Sequence, residues 1–85
     1  MKRKERRVLG GIEEGALYVF KHSDIPGATI EGICYWLNEF WEATGFWNVD
    51  RIRRICKKDT EWIAEQIQNR VNPRKAATEY KKTHM

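Results

Sequence analysis

Apolar residues recur at helical spacing through residues 29–44, whose sequence is TIEGICYWLNEFWEAT. One apolar stripe repeats every three or four residues, and its members are Ile30, Ile33, Cys34, Leu37, Trp41 and Thr44. A second stripe lies on a neighbouring side of the same helix and comprises Trp36, Phe40 and Ala43. A helix that is apolar around most of its circumference is either the central helix of a domain or a helix that another molecule partly covers. The sequence predicts such a helix here, with Thr29 as its N-cap and Gly45 as the residue that ends it.

The apolar pattern continues over residues 49–72 and predicts either one long helix or two. Its members are Val49, Ile52, Ile55, Cys56, Trp62, Ile63, Ile67 and Val71. Asp59 and Thr60 are better N-caps than interior helix residues, which favours a break just before them. Pro73 ends the run, because the residue before a proline avoids the α region. The same proline suits the first turn of a last helix, whose inward residues are Ala76, Ala77 and Tyr80.

Residues 6–21 are compatible with two structures. A short helix would bury Ile12, Ala16, Val19 and Phe20. Alternatively, residues 6–9 and 16–21 pair as a β-hairpin across the sequence GGIEEG. Periodicity does not decide for so short a run, but the helix is favoured because no other strand is predicted to extend a two-stranded sheet.

These elements predict a mainly α fold, a small single-domain bundle of three to four helices, with the N-terminal hairpin as an open alternative. We divide the chain into a basic arm over 1–7, a helical domain over 8–72 and a C-terminal basic helix or tail over 73–85. A chain of 85 residues that is 41 % hydrophobic is sufficient for one core. No secretory signal and no stretch of roughly 20 apolar residues is visible. We therefore expect a cytoplasmic protein without a membrane partner, in which Cys34 and Cys56 are reduced thiols on apolar helix faces.

The net charge of +4 is segregated along the chain. Residues 51–58, RIRRICKK, carry five basic groups and no acid, whereas residues 8–50 carry seven acids and one lysine. On a helix, the five cations share one side, opposite the apolar positions of the segment: they are Arg51, Arg53, Arg54, Lys57 and Lys58. A row of cations fixed by buried neighbours is what a helix needs to follow a phosphate backbone. An alternative is that this face is paired internally with Glu39, Glu42 or Asp50.

The leading hypothesis is a small nucleic-acid-binding regulator that contacts duplex DNA through this basic helix. If the chain breaks near residue 58, a helix-turn-helix-like pair results, whose second helix would expose three residues able to read base edges, namely Gln66, Asn69 and Arg70. Glu61 and Glu65 on the same helix argue against this reading, because they would repel phosphates. The N-terminal arm would add flanking phosphate contacts through Lys2, Arg3 and Lys4. A homodimer that buries the second apolar stripe is also expected.

The alternative hypothesis is a protein-interaction or inhibitor module that binds a larger protein. It would use an exposed aromatic helix face formed by Tyr35, Trp36 and Phe40, flanked by the acidic segment. An enzyme is not expected, because the only histidines, His22 and His84, have no partner arranged for catalysis. Neither a metal site nor a cofactor site is predicted, since the histidines and cysteines lack paired ligand spacing and no glycine-rich phosphate cradle is present.

Overall fold

The computed structural model describes residues 3–45 and 48–84, with side chains described for residues 10–45 and 48–83. Within these residues the chain forms five helices: α1 Arg3–His22, α2 Ile30–Thr44, α3 Val49–Lys58, α4 Thr60–Gln68 and α5 Pro73–His84. The mainly helical prediction is confirmed, although five helices form instead of three to four. The described residues contain no strand, so the hairpin is not supported: residues 6–21 lie inside α1. Helix α1 begins at Arg3, and the segment from residue 73 is a helix.

Helix α1 packs closely against α3 because glycines face the contact. A Cβ atom placed on Gly11 would lie 2.5 Å from Cγ2 of Val49, and one on Gly15 would lie 2.5 Å from Sγ of Cys56. The two glycines therefore let the helix backbones approach to a distance that no larger residue permits. The contacts advance in the same direction along both helices, so α1 and α3 run parallel.

Helix α2 forms as its pattern predicts, and it packs between α1 and α5 with residues of both stripes buried. The Oγ1 atom of Thr29 accepts a hydrogen bond from the amide of Gly32 at 3.0 Å. Gly45 adopts a left-handed conformation with φ of 77°, and its N–H reaches the carbonyls of the last helical turn. Most of the first stripe is buried, through Ile33, Leu37, Trp41 and Thr44.

Helix α5 covers the second stripe, which corrects the prediction that Trp36 and Phe40 face a partner protein. Only 8 % of Trp36 and none of Phe40 is exposed. The ring of Phe40 packs edge-on against Tyr80 with centroids 5.5 Å apart, and Nε1 of Trp36 donates to the carbonyl of Val71 at 2.9 Å. The aromatic excess of α2 is thus satisfied within the chain, which also removes the reason for expecting a dimer through this stripe.

The break between α3 and α4 falls at Asp59, next to the predicted position. Thr60 is buried and its hydroxyl donates to the carbonyl of Cys56. The carboxylate of Asp59 does not cap α4; it accepts a hydrogen bond from the hydroxyl of Tyr80 at 3.0 Å. All five helices contribute to one buried cluster. Residues 46–47, which join α2 to α3 in the sequence, lie outside the described residues.

Candidate nucleic-acid interface on helix α3

Helix α3 presents its basic side to solvent because its other side is anchored in the core. Ile52 and Cys56 are fully buried, and Ile55 packs partly against the same cluster. Asn48 caps the helix, its Oδ1 atom accepting from the amide of Arg51 at 2.9 Å. The close contact of Gly15 with Cys56 fixes the helix against α1. The orientation of α3, and with it the direction of its cations, is therefore set by packing.

One of the five predicted cations is neutralised by the domain itself. The guanidinium of Arg53 forms a bidentate pair with Glu14 of α1, with Nε–Oε2 at 2.6 Å and Nη2–Oε1 at 3.0 Å. Asp50, one of the predicted internal partners, lies 3.8 Å from the same guanidinium. The other two predicted partners, Glu39 and Glu42, pair instead with Arg74 of α5. Arg53 is thus a structural residue as well as a basic one.

The other cations of the helix are exposed: they are Arg51, Arg54, Lys57 and Lys58. In the described part of the chain, no ion pair joins Arg54, Lys57 or Lys58 to a carboxylate. Arg51 lies near the core edge, where its charge acts on Tyr80. Burial raises the pKa of the Tyr80 phenol, as does its hydrogen bond to Asp59, and the positive charge of Arg51 opposes that rise.

The C-terminal end of α3 opens into a groove of about 450 Å³ that also involves α1 and α4. Its lining residues are Tyr18, His22, Lys57, Lys58, Asp59, Thr60, Glu61 and Trp62. The Nζ atom of Lys57 lies 6.0 Å from the centroid of the Tyr18 ring, and that ring stacks on His22 with centroids 4.0 Å apart. No side chain caps the N-terminus of α4 at this groove. The groove therefore places two lysines beside two carboxylates.

Sequence reasoning missed Tyr18 and His22 as neighbours of the basic helix. They lie on α1, almost 40 residues before Lys57 and Lys58, and only the packing of the two helices brings them together. Their spacing of four residues, which places both rings on one helix face, was the available signal.

The residues predicted to read bases do not share a helix face. Helix α4 ends at Gln68, so Asn69 is its C-cap and Arg70 lies in the following turn. Arg70 has φ of 57°, and Gln66 is half-buried. The prediction of a recognition helix extending to residue 72 is therefore wrong, because a C-terminal turn ends the helix early.

The predicted arm residues lie at the other end of α3. Lys2 is outside the described residues. Arg3 and Lys4 begin α1, about 12 Å along the helix axis before Gly11, which contacts Val49 at the start of α3. Since the helices are parallel, the backbone of the arm is placed beyond the N-terminal end of α3, away from its last turn.

The two cysteines are free thiols without the features of a nucleophile. Burial raises the pKa of Cys56 to about 12, although a hydrogen bond with Trp41 opposes the rise. Burial, and then the charge of Glu13, raises the pKa of Cys34. Both thiols therefore stay protonated at neutral pH and react slowly.

The described residues contain neither a candidate metal site nor a candidate membrane-spanning helix. No group of three or more His, Cys, Asp and Glu side chains there is arranged to hold a metal ion. Likewise, none of the described helices has the length and apolar character needed to cross a bilayer. The chain matches no protein-family model, no curated protein and no solved structure.

Proposed function

We propose that the protein is a small regulatory protein that binds the phosphate backbone of duplex nucleic acid through α3. The observation that supports this function is the set of exposed cations without a carboxylate partner in the described chain, Arg54, Lys57 and Lys58. They project from a helix whose opposite residues, Ile52 and Cys56, are fully buried. Cations in fixed positions along a helix neutralise phosphates and release their counterions, which drives association.

Duplex is favoured over single-stranded nucleic acid because the described aromatic rings that line the groove beside α3, Tyr18 and Trp62, already pack against other rings of the chain. Binding of single strands depends on exposed rings on which bases stack. Trp41 and Phe40 are fully buried, and the Tyr18 ring stacks on His22. The basic helix is therefore better suited to a regular phosphate backbone than to unpaired bases.

Backbone contact is favoured over base reading. Gln66 is half-buried, and Asn69 and Arg70 lie beyond the end of α4. Glu61 and Glu65 are exposed on α4 and would repel a phosphate brought close to it. We therefore expect weak, salt-sensitive binding, with a dissociation constant on the order of 1–100 µM and little dependence on base sequence.

The test is a fluorescence-anisotropy titration of a labelled random-sequence duplex at several salt concentrations. The variant Lys57→Gln/Lys58→Gln removes two of the proposed phosphate contacts. We expect its plot of log affinity against log salt to be shallower than that of the wild type by about 1.8, because each phosphate contact contributes about 0.9 to the slope.

The matched control is Lys75→Gln/Lys82→Gln, which makes the same change in net charge on α5, where both lysines are exposed. We expect it to retain most of the wild-type slope. If the control flattens the plot as much as the α3 variant does, binding follows net charge alone and α3 is not the interface. An absence of salt-sensitive binding by the wild type would also reject the proposal.

A further inference from the structure

An apolar groove between α1 and α2 lies outside the basic face of α3. It has a volume of about 560 Å³, and its lining residues are Ile12, Glu13, Leu17, Ile30, Glu31, Cys34, Tyr35 and Asn38. Large apolar side chains normally lie inside a small domain, yet Leu17 and Ile30 are each 39 % exposed and Tyr35 is 68 % exposed. The groove thus gathers most of the large hydrophobic side chains that the described chain leaves in contact with solvent.

The charges around the groove have one sign. Glu13 and Glu31 line it, and none of its described lining residues is basic. A second copy of the chain in a two-fold arrangement would bring these carboxylates against their own equivalents, because a two-fold interface pairs the same patch with itself. The groove therefore complements a partner that carries positive charge beside an apolar surface.

The shape of the groove defines the partner further. It lies between two helices, and the described residues offer no strand edge to which an extended peptide could add. The mode of recognition available to such a surface is an amphipathic helix laid in the groove, with apolar residues at positions i, i+3, i+4 and i+7. Tyr35 is of the residue type that most often anchors such contacts.

We propose that this groove binds an amphipathic helix of a partner protein whose apolar stripe is flanked by lysine or arginine. Leu17, Ile30 and Tyr35 contact the apolar stripe, and Glu13 and Glu31 face the flanking cations. This interaction is independent of the phosphate contacts proposed for α3, because the two faces share no residue. Of the three aromatic residues predicted to bind a partner, only Tyr35 is exposed and part of this proposal, whereas Trp36 and Phe40 belong to the core.

The probe is a synthetic helical peptide with leucine at the four stripe positions and lysine on the flanks. Two comparison peptides are its counterpart with glutamate on the flanks and a scrambled sequence of the same leucine and lysine content. Binding to the full chain is measured by calorimetry. We expect the lysine peptide to bind at least about tenfold more tightly than either comparison peptide, and equal affinity for all three would overturn the proposal.

Matched variants locate the binding. Leu17→Ser/Tyr35→Ser should weaken peptide binding at least about tenfold, since both residues are anchors. Phe20→Ser should leave it within about twofold, because Phe20 is 41 % exposed but does not line the groove. Circular dichroism establishes that each variant is folded. Equal losses for the two variants would overturn the proposed site.

Charge is tested in the same way. Glu13→Gln/Glu31→Gln should weaken binding of the lysine peptide, whereas Glu61→Gln/Glu65→Gln, with the same change in net charge on α4, should not. Sedimentation tests whether a second copy of the chain fills the groove instead. A wild-type dimer that becomes monomeric on Tyr35→Ser would show that it does, and would overturn the assignment to a partner protein.

Discussion

Gly15 lies so close to Cys56 that the residue at this position of α1 decides how near α3 can come. A methyl group there would lie 2.5 Å from Sγ and 3.1 Å from Cβ of Cys56, whereas one on Gly10 would meet nothing within 4 Å. Both residues lie inside the same helix, so they separate the cost of crowding from the gain in helix propensity.

We expect Gly15→Ala to lower the free energy of unfolding by about 1–3 kcal/mol, because it overpacks the contact between α1 and α3. Gly10→Ala should instead raise it by about 0.5–1 kcal/mol, because alanine is the better helix former. Urea unfolding followed by tryptophan fluorescence measures both. Destabilisation by Gly10→Ala as large as that by Gly15→Ala would contradict this account.

Arg70 occupies a backbone conformation that suits glycine. Its φ is 57° and its amide donates to the carbonyl of Ile67. The amide of Val71 donates to the carbonyl of Gln66. These two bonds form the Schellman motif that ends many helices, in which the left-handed residue is usually glycine. We expect Arg70→Gly to raise the free energy of unfolding by about 1 kcal/mol.

Arg70→Ala is the control for that prediction, since it removes the same charge but keeps the Cβ atom that causes the strain. It should leave stability nearly unchanged in the same unfolding experiment. A gain from alanine equal to the gain from glycine would mean that charge, not backbone conformation, limits stability at this turn.

The buried thiol of Cys56 makes the fold sensitive to alkali. Its pKa rises from an ordinary value of 9.0 to about 12 because burial disfavours the thiolate. The unfolded chain therefore releases this proton at lower pH than the folded chain does. The stability that the neutral Cys56 thiol contributes is fully present below pH 9.0. It falls as the pH rises toward 12, by up to about 1.4 kcal/mol per pH unit for this one group.

Urea unfolding over this pH range measures the effect. Cys56→Ala should unfold more easily at neutral pH but show a shallower alkaline decline. The raised pKa of Tyr80 acts in the same direction, so some decline should persist in that variant. A decline in Cys56→Ala as steep as in the wild type would show that the thiol is not responsible.

At the scale of the helices, a carboxylate of α1 neutralises one of the cations of α3. Glu14 holds Arg53 in a bidentate pair, with side chains 58 % and 42 % exposed. We expect Glu14→Gln to release Arg53 and to increase affinity for duplex in the anisotropy titration, while lowering stability by less than about 1 kcal/mol, since water screens a pair this exposed.

Glu13→Gln provides the comparison, because it makes the same charge change one residue away, on the side of α1 that lines the apolar groove. It should raise duplex affinity less than Glu14→Gln does. Equal gains from the two variants would indicate a general effect of net charge without release of Arg53.

The local signals of the sequence predicted several helix boundaries. Thr29 and Gly45 delimit α2, Asp59 and Thr60 mark the break before α4, and Pro73 begins α5. These residues act on their own backbone, so the sequence near each boundary is sufficient to predict where the helix begins or ends. The length of α1 was not predictable in this way, because Gly11 and Gly15 are favoured by contact with α3 and not by helix propensity.

At the scale of the whole molecule, Tyr80 joins elements that are distant along the chain. Its ring packs against Phe40 of α2 and Trp62 of α4, and its hydroxyl bonds to Asp59 between α3 and α4. We expect Tyr80→Ala to destabilise the fold by about 3–5 kcal/mol.

A second variant of Tyr80 separates the contribution of the hydroxyl from that of the ring, and a variant of the neighbouring residue is the control. Tyr80→Phe should cost only about 1 kcal/mol, the value of the hydrogen bond to Asp59, and Glu79→Ala, at an exposed neighbour, should have almost no effect. Thermal unfolding monitored by circular dichroism provides the comparison. A similar loss for phenylalanine and alanine would mean that the hydroxyl, and not the ring, stabilises this junction.

The arrangement of charged faces was only partly predictable from the sequence. The basic segment 51–58 was visible, and so was the side on which its cations lie. Which cation is neutralised was not, because Glu14 reaches Arg53 only through the packing of α1 on α3. The burial of Trp36 and Phe40 depended likewise on α5, which the pattern of α2 alone does not locate.

The dependence of the aromatic cluster on Tyr80 has a consequence for synthesis in the cell. A nascent chain that has grown only as far as α4 holds Trp36 and Phe40 without their cover. Such exposed surface invites aggregation or capture by chaperones until it is buried. The core can therefore close only after translation has passed residue 80, and this domain is expected to fold once α5 has been synthesised.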